Sequence, residues 1–227
     1  MSSAIRQGRV PVAVLISGRG SNMMALVEAA RAVDYPAEIV TVISNRPDAA
    51  GLEWARAQGI ATAVVDHATF ANRAEFDAKL HKTLVAHGAE LVACAGFMRI
   101  MTEDFVSQWE GRMINIHPSL LPSFKGLHPQ ARALEAGVRI AGCTVHYVIS
   151  EVDAGPIIVQ GAVSVLPQDT AQSLAARIVK VEHRIYPLAL KLVAGGDASL
   201  INGRVALKTN GNTHTAFTNL AWFHTTD

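Results

Sequence analysis

Cysteine is scarce in this 227-residue chain: Cys94 and Cys143 are the two present, each inside an apolar run. Such a pair reads as buried thiols, which fits a reducing compartment and excludes a disulfide-stapled fold. Neither sign of charge dominates. Twenty Lys and Arg against nineteen Asp and Glu leave a net charge of +1, with no basic block, so the electrostatic footprint of a nucleic-acid binder is missing. No apolar run approaches the roughly 20 residues that a bilayer-spanning helix needs. Residues 1–9 have no signal-peptide core. A cytoplasmic protein without a membrane or nucleic-acid partner is the expectation. Internal repeats are also missing. His81, His87, His128, His146 and His183 stand as individuals rather than at metal-ligand spacing, so no metal is expected.

Apolar residues are what the chain has in quantity. They make up 50% of it, enough for a large core in one α/β domain with a short appendage. The domain is expected over residues 1–200, with residues 201–227 as a peripheral tail. In the first half, strands are predicted at 10–16, 38–44, 60–65 and 91–95, and helices at 22–33, 49–58 and 73–87. The strand at 10–16 is apolar throughout, as one buried on both faces would be. Strands alternating with helices imply parallel βαβ units with right-handed crossovers. The fold class is therefore α/β, an open, mostly parallel twisted sheet with helices on both faces. Later come a helix at 128–136, strands at 142–149 and 157–165 forming an antiparallel hairpin, and a helix at 170–192 with Pro187 inside. That long helix aligns Ser173, Leu174, Ile178, Val181 and Ile185 on one stripe. Residues 203–207 read as a short strand.

Four stretches carry chemistry. Residues 113–126 begin as a strand in which Asn115 and His117, two apart, share a face; Pro118 ends it. The pair thus sits at the carboxyl end of a strand, where open α/β sheets bind ligands. An amide donor beside an imidazole suits acyl transfer, one stabilising an oxyanion and the other moving a proton. Taken alone, each is equally a turn residue. The turn Ser17-Gly18-Arg19-Gly20-Ser21-Asn22 lacks a third glycine at Met23 and an acidic residue after the second strand, where Ser44 and Asn45 stand. That argues against a dinucleotide fingerprint, and no P-loop lysine is present. A helix amino terminus that accepts a phosphate monoester remains, beside a plain turn capped by Ser21 or Asn22. In residues 96–101, Phe97, Met98, Ile100 and Met101 read as core and Arg99 as solvated. Asp153, among small residues in the loop 151–156, reads as a turn former.

In order, Gly20-Ser21-Asn22, Gly96-Phe97-Met98-Arg99, Asn115-Ile116-His117-Pro118-Ser119-Leu120-Leu121-Pro122 and Asp153-Ala154-Gly155-Pro156 resemble the motifs of the folate-dependent formyltransferases, over residues 10–192. The resemblance is nearest to the branch that formylates glycinamide ribonucleotide. It implies a Rossmann-like formyltransferase fold, 10-formyltetrahydrofolate as co-substrate, and formyl transfer to the glycinamide ribonucleotide amine in purine biosynthesis, by a monomer or homodimer. By resemblance, Asn115, His117 and Asp153 are catalytic, Asp153 pairing with His117 and favouring its protonated form. Gly20, Ser21 and Asn22 hold the substrate phosphate and Glu182 its ribose. Arg73, Met98, Arg99, Ile100, Met101 and Asn115 line the folate side. The chain departs from the family at His128-Pro129, where His-Thr is frequent; proline suits a first helical turn and His128 caps it. The alternatives within the family are formylation of methionyl-tRNA, whose branch typically adds an RNA-binding domain and a basic surface and lacks the Gly-Ser-Asn turn, and hydrolysis of 10-formyltetrahydrofolate. The hydrolytic branch carries a further amino-terminal domain, whereas about nine residues precede the first strand here. Outside the family, a non-catalytic nucleotide-binding module would leave Asn115, His117 and Asp153 without a task.

Overall fold

The computed structural model describes residues 8–208. The expected tail at 210–227 and most of the opening stretch lie outside the described residues. Strands β1 (Val10–Ile16), β2 (Ala37–Ser44), β3 (Ala61–Val64), β4 (Leu91–Cys94) and β5 (Met113–His117) pair in parallel. β6 (Ile140–Tyr147) runs against β5, and β7 (Ile157–Ser164) against β6. The sheet order is β3-β2-β1-β4-β5-β6-β7. The chain moves outward from β1 to β3, then returns to lay β4 on the other side of β1. The order therefore reverses between β1 and β4, and the loops leaving their carboxyl ends flank the crevice where this architecture binds ligands.

Alternation along the central strands separates two cores. Val12, Val14 and Ile16 of β1 face α1 (Ser21–Ala30), α2 (Ala50–Ala57) and α6 (Ala171–Ala194); Ala13 and Leu15 face α3 (Arg73–Ala86) and α4 (Glu103–Gln108). β5 is divided likewise. Ile114 and Ile116 belong to the α6 side and Met113 to the α3/α4 side. Asn115 and His117 follow Met113 by two and four residues, so they extend the α3/α4 face at its carboxyl end. The α6 helix lies close to β7 because Gly161 has no side chain: a Cβ there would stand 2.3 Å from Val181 Cγ1.

Several expectations about local structure are corrected. α1 stops at Ala30, short of residue 33; Val33 is 99% exposed, while Tyr35 turns inward and its hydroxyl donates to the Pro187 carbonyl at 2.7 Å. α6 runs through Pro187 as expected and ends at Ala194, two residues beyond the expected end. Ser173 is exposed rather than part of the apolar stripe, because it closes a capping box with Thr170. A second hairpin, β8 (Ala198–Ile201) with β9 (Arg204–Leu207), spans residue 200, so the expected boundary falls inside a strand. Ala198 is buried, and Leu200 and Val205 pack against the main core, which ties the hairpin to the domain.

Replacing Gly161 by alanine should force α6 away from β7. Overpacking of this kind costs about 1–3 kcal/mol, so the urea midpoint should fall accordingly. An unchanged midpoint would mean that α6 adjusts freely and that the close approach is not needed.

Candidate active site

β5 and β6 bring the polar residues together. The antiparallel register sets Asn115 opposite His146 and His117 opposite Thr144. Asn115 Nδ2 lies 3.2 Å from His146 Nε2. His117 is buried, with its Nε2 3.0 Å from the Phe124 carbonyl and its Nδ1 3.2 Å from Asp153 Oδ2. Both ring nitrogens of His117 therefore face oxygen acceptors, and only a doubly protonated ring donates to both. Asp153 reaches this position through a left-handed backbone, φ 51°, and its Oδ2 also accepts the Gly126 N–H at 2.9 Å. It acts as more than a turn former. Its carboxylate ties the loop after β6 to β5 and to the segment entering α5 (Pro129–Glu135).

The 118–123 segment is held from the same strands. Thr144 Oγ1 donates to the Ser119 carbonyl at 2.7 Å and accepts from the Leu121 N–H and from Gln160 Nε2, both at 3.0 Å. The Leu121–Pro122 peptide is cis. A cavity of about 110 Å³ lies behind this loop, lined by Pro118, Phe124, Pro129, Ala133, Ile140 and Ile178. Asn115, His117 and Asp153 are not among its lining residues, so it is not where those groups would react. His128 occupies the N-cap position of α5 with φ 55° but makes no side-chain cap bond, so the expected capping role is corrected.

The glycine turn lies at the carboxyl end of β1. Gly20, with φ 73°, is itself the N-cap of α1, and no side chain caps the helix. Ser21 and Asn22 are therefore the first helical residues, not caps. The first N–H groups of a helix have no intrahelical acceptor and carry the positive end of its dipole. Asn22 Nδ2 instead donates to Glu182 Oε2 at 2.7 Å, joining the turn to α6, while Asn22 Oδ1 is buried without a partner. Glu182 is 5% exposed, and burial raises its carboxyl pKa despite the Asn22 bond.

In the loop at 96–101, Met98, Arg99 and Ile100 invert the expected pattern, while Phe97 and Met101 pack against the core as expected. Met98 and Ile100 are 70% and 55% exposed, whereas Arg99 is half-buried, its guanidinium 5.9 Å from the Phe76 ring centroid and its Nε buried without a partner. The cause is how the loop is anchored. Phe97 stacks on Phe76, Met98 N–H donates to Ser17 Oγ at 2.7 Å, and Thr102 N–H donates to the buried Asp77 at 2.7 Å. Alternate side chains are thereby turned outward. Arg73 is exposed at the first position of α3, one turn before Phe76, and no described contact joins it to the His117 cluster. Ser17, Asp77 and His146 were not singled out as site residues from sequence. A serine in a glycine turn, an aspartate on a helix and a histidine in a strand give no signal until their partners from distant segments are known.

Both cysteines are buried free thiols, and burial pushes Cys94 up to about 12, which removes it as a nucleophile. Among the described residues no group of His, Cys, Asp and Glu has a metal-holding arrangement, and no helix is long and apolar enough to cross a membrane.

Residues 10–190 match the family described as formyl transferase. The chain belongs to the formyl transferase family. It is 42% identical to the phosphoribosylglycinamide formyltransferase of Escherichia coli (strain K12) over 185 residues, 82% of this chain and 87% of that protein. It is 49% identical to the human trifunctional purine biosynthetic protein adenosine-3 over 195 residues, 86% of this chain but 19% of that protein. The chain thus spans about a fifth of the length of that vertebrate relative. Among solved structures, glycinamide ribonucleotide transformylase 1 from Symbiobacterium toebii superposes with a TM-score of 0.87 at 44% identity, covering 92% of this chain and 99% of that one. This formyltransferase fold is the α/β class expected from sequence. The family uses 10-formyltetrahydrofolate as co-substrate.

Glu182 makes the stability of the ligand-free protein depend on pH. Its folded-state pKa is raised, so the fold favours the protonated acid. Stability should fall as pH rises from the ordinary glutamate range through the higher folded value. Glu182→Gln should flatten that slope and raise the thermal midpoint at neutral pH. Parallel pH slopes for the two proteins would show that Glu182 is not the group responsible.

Proposed function

We propose that this chain transfers a formyl group from 10-formyltetrahydrofolate to the amine of glycinamide ribonucleotide in purine biosynthesis. The observation that carries the proposal is the His117 imidazole held between the Phe124 carbonyl and the Asp153 carboxylate, with the Asn115 amide on the same strand face. Full-length relatives named for this reaction, such as the Escherichia coli protein, support it. The hydrolase alternative has no comparable support.

The residues present fit both substrates. The open amino terminus of α1 at Gly20, Ser21 and Asn22 suits a phosphate monoester, and Glu182 stands beside it, where a ribose hydroxyl could bond it. Met98 and Ile100 offer exposed apolar surface, and Arg99 and Met101 continue the same loop, suiting a planar heterocycle. Arg73, exposed on α3, has a place at the outer edge of that side. The folate supplies the formyl carbon. Asn115 donates an N–H to the oxygen that becomes negative as the amine attacks. Protonated His117 offsets that charge and delivers a proton to the folate nitrogen as its bond to the formyl carbon breaks; the attacking amine gives up its own proton, which restores the imidazolium, while Asp153 offsets the charge on the ring. No bond to the protein forms. The catalytic unit runs from β1 through α6, with the β8–β9 hairpin packed against it.

Formyl transfer measured with glycinamide ribonucleotide, initiator tRNA or water as acceptor tests the proposal; turnover with the ribonucleotide is the expected result, and turnover with water alone would refute it. His117→Ala and Asn115→Ala should each lose about 10²-fold or more in turnover with near-unchanged folding. Ser21→Ala should weaken nucleotide binding by about 1.5–3 kcal/mol, through loss of a hydrogen bond to a charged group, and leave folate binding alone. Calorimetric titration of both ligands decides this, since equal losses would remove Ser21 from the phosphate site.

A further inference from the structure

We propose that His146 is a positioning residue: its bare Nε2 accepts one N–H of the Asn115 carboxamide and so turns the second N–H toward the reacting oxygen. The proposal rests on the oxyanion role given to Asn115 above.

His146 Nδ1 lies 2.8 Å from the Tyr147 carbonyl. A carbonyl only accepts, so Nδ1 carries a hydrogen. His146 is 2% exposed, and burial, the largest effect, lowers its pKa; the Tyr147 carbonyl and Asp153 act the other way, and the His117 charge adds the smallest contribution, a lowering one. The ring is therefore neutral and Nε2 has no hydrogen. Asp153 does not convert it to an imidazolium. Its Oδ1 is 3.8 Å from Nε2, beyond hydrogen-bond reach, and its Oδ2 is already engaged by His117 and Gly126. A bare Nε2 can only accept, so the Asn115 atom 3.2 Å away must be the amide nitrogen. The orientation of the amide, which oxygen and nitrogen positions alone do not define, is thus set by its neighbour's tautomer. Among the described residues the second N–H of Asn115 has no partner, and Asn115 is half-buried between the buried Ile114 and Ile116.

The tautomer is itself built into the chain. A Cβ on Gly155 would stand 1.7 Å from the Tyr147 carbonyl oxygen and 3.2 Å from His146 Nδ1. A glycine there lets the loop that carries Asp153 close over the carbonyl that holds the ring. The same loop therefore sets both partners of the reaction centre: Asp153 on His117 directly, and His146 on Asn115 through Tyr147.

Two measurements test the proposal. In wild-type protein labelled with ¹⁵N-histidine, His146 should give the neutral Nδ1–H tautomer at neutral pH; an Nε2–H tautomer or an imidazolium would overturn the proposal. This readout needs no substrate, so it stays decisive even if the reaction assigned above is wrong, a failure that the acceptor assay on wild type reveals separately. His146→Gln places an acceptor oxygen near the Nε2 position, whereas His146→Asn places its amide near Nδ1 and leaves Asn115 unanchored. His146→Asn should lose about tenfold or more in kcat with the KM of both substrates changed by less than about twofold, since a misplaced group costs up to about 10²-fold. His146→Gln should recover most of the loss. Equal activity in the two variants, or a loss confined to KM, would overturn the proposal.

Discussion

The Asp153 carboxylate is the interaction on which the arrangement depends. It is nearly buried, and it is held there by a left-handed backbone that a non-glycine residue adopts at a cost of about 1–3 kcal/mol. In return one oxygen binds both the His117 ring and the Gly126 N–H. Three segments distant in sequence thereby meet: the end of β5, the approach to α5 and the loop between β6 and β7. Without that carboxylate, the ring would keep the Phe124 carbonyl on one side and have no charge on the other.

The fold positions this carboxylate through two different connections. Parallel pairing from β3 to β5 places the turn at Gly20, the loop at 96–101 and the end of β5 on one edge of the sheet. The reversal at β6 then returns the chain alongside β5, so that His146 and Thr144 stand opposite Asn115 and His117. A further parallel strand would have placed its neighbours in a different register, with its loop leaving at the same edge after a long crossover. The antiparallel return lets a short loop complete the cluster.

The strands and most helices were legible in the sequence because their signals are local. Runs such as 10–16 and the spacing of Met23, Leu26, Val27 and Ala30 report burial directly. Asn115 and His117 were legible for the same reason, two polar residues on one face of a strand stopped by proline. In the loop at 96–101 apolar composition does not report burial at Met98 and Ile100, although it does at Phe97 and Met101. Met98 and Ile100 are turned out because the Met98 N–H donates to Ser17, 81 positions earlier, and the Thr102 N–H donates to Asp77, 25 positions earlier. The sequence gives His146 no task, because its role lies in which nitrogen carries a hydrogen, and that depends on Tyr147 and on the glycine that lets the chain close over it.

Satisfied and unsatisfied polar groups divide between scaffold and site. Thr144 spends its hydroxyl on three partners, fixing the 118–123 segment. Around the crevice, Asn22 Oδ1 and Arg99 Nε are buried with none, and Glu182 keeps a carboxyl whose ionisation the fold resists. Orphaned atoms on Thr41, Asp77, His81, Trp109 and His183 lie on strands, helices or a helix cap, so lack of a partner does not by itself mark a binding group. What distinguishes Asn22 and Arg99 is that each follows the carboxyl end of β1 or β4, Asn22 in the first turn of α1 and Arg99 in the loop, and the order reverses between those two strands. A ligand bonded there would remove a desolvation cost that the ligand-free protein carries, and part of its affinity would come from that relief.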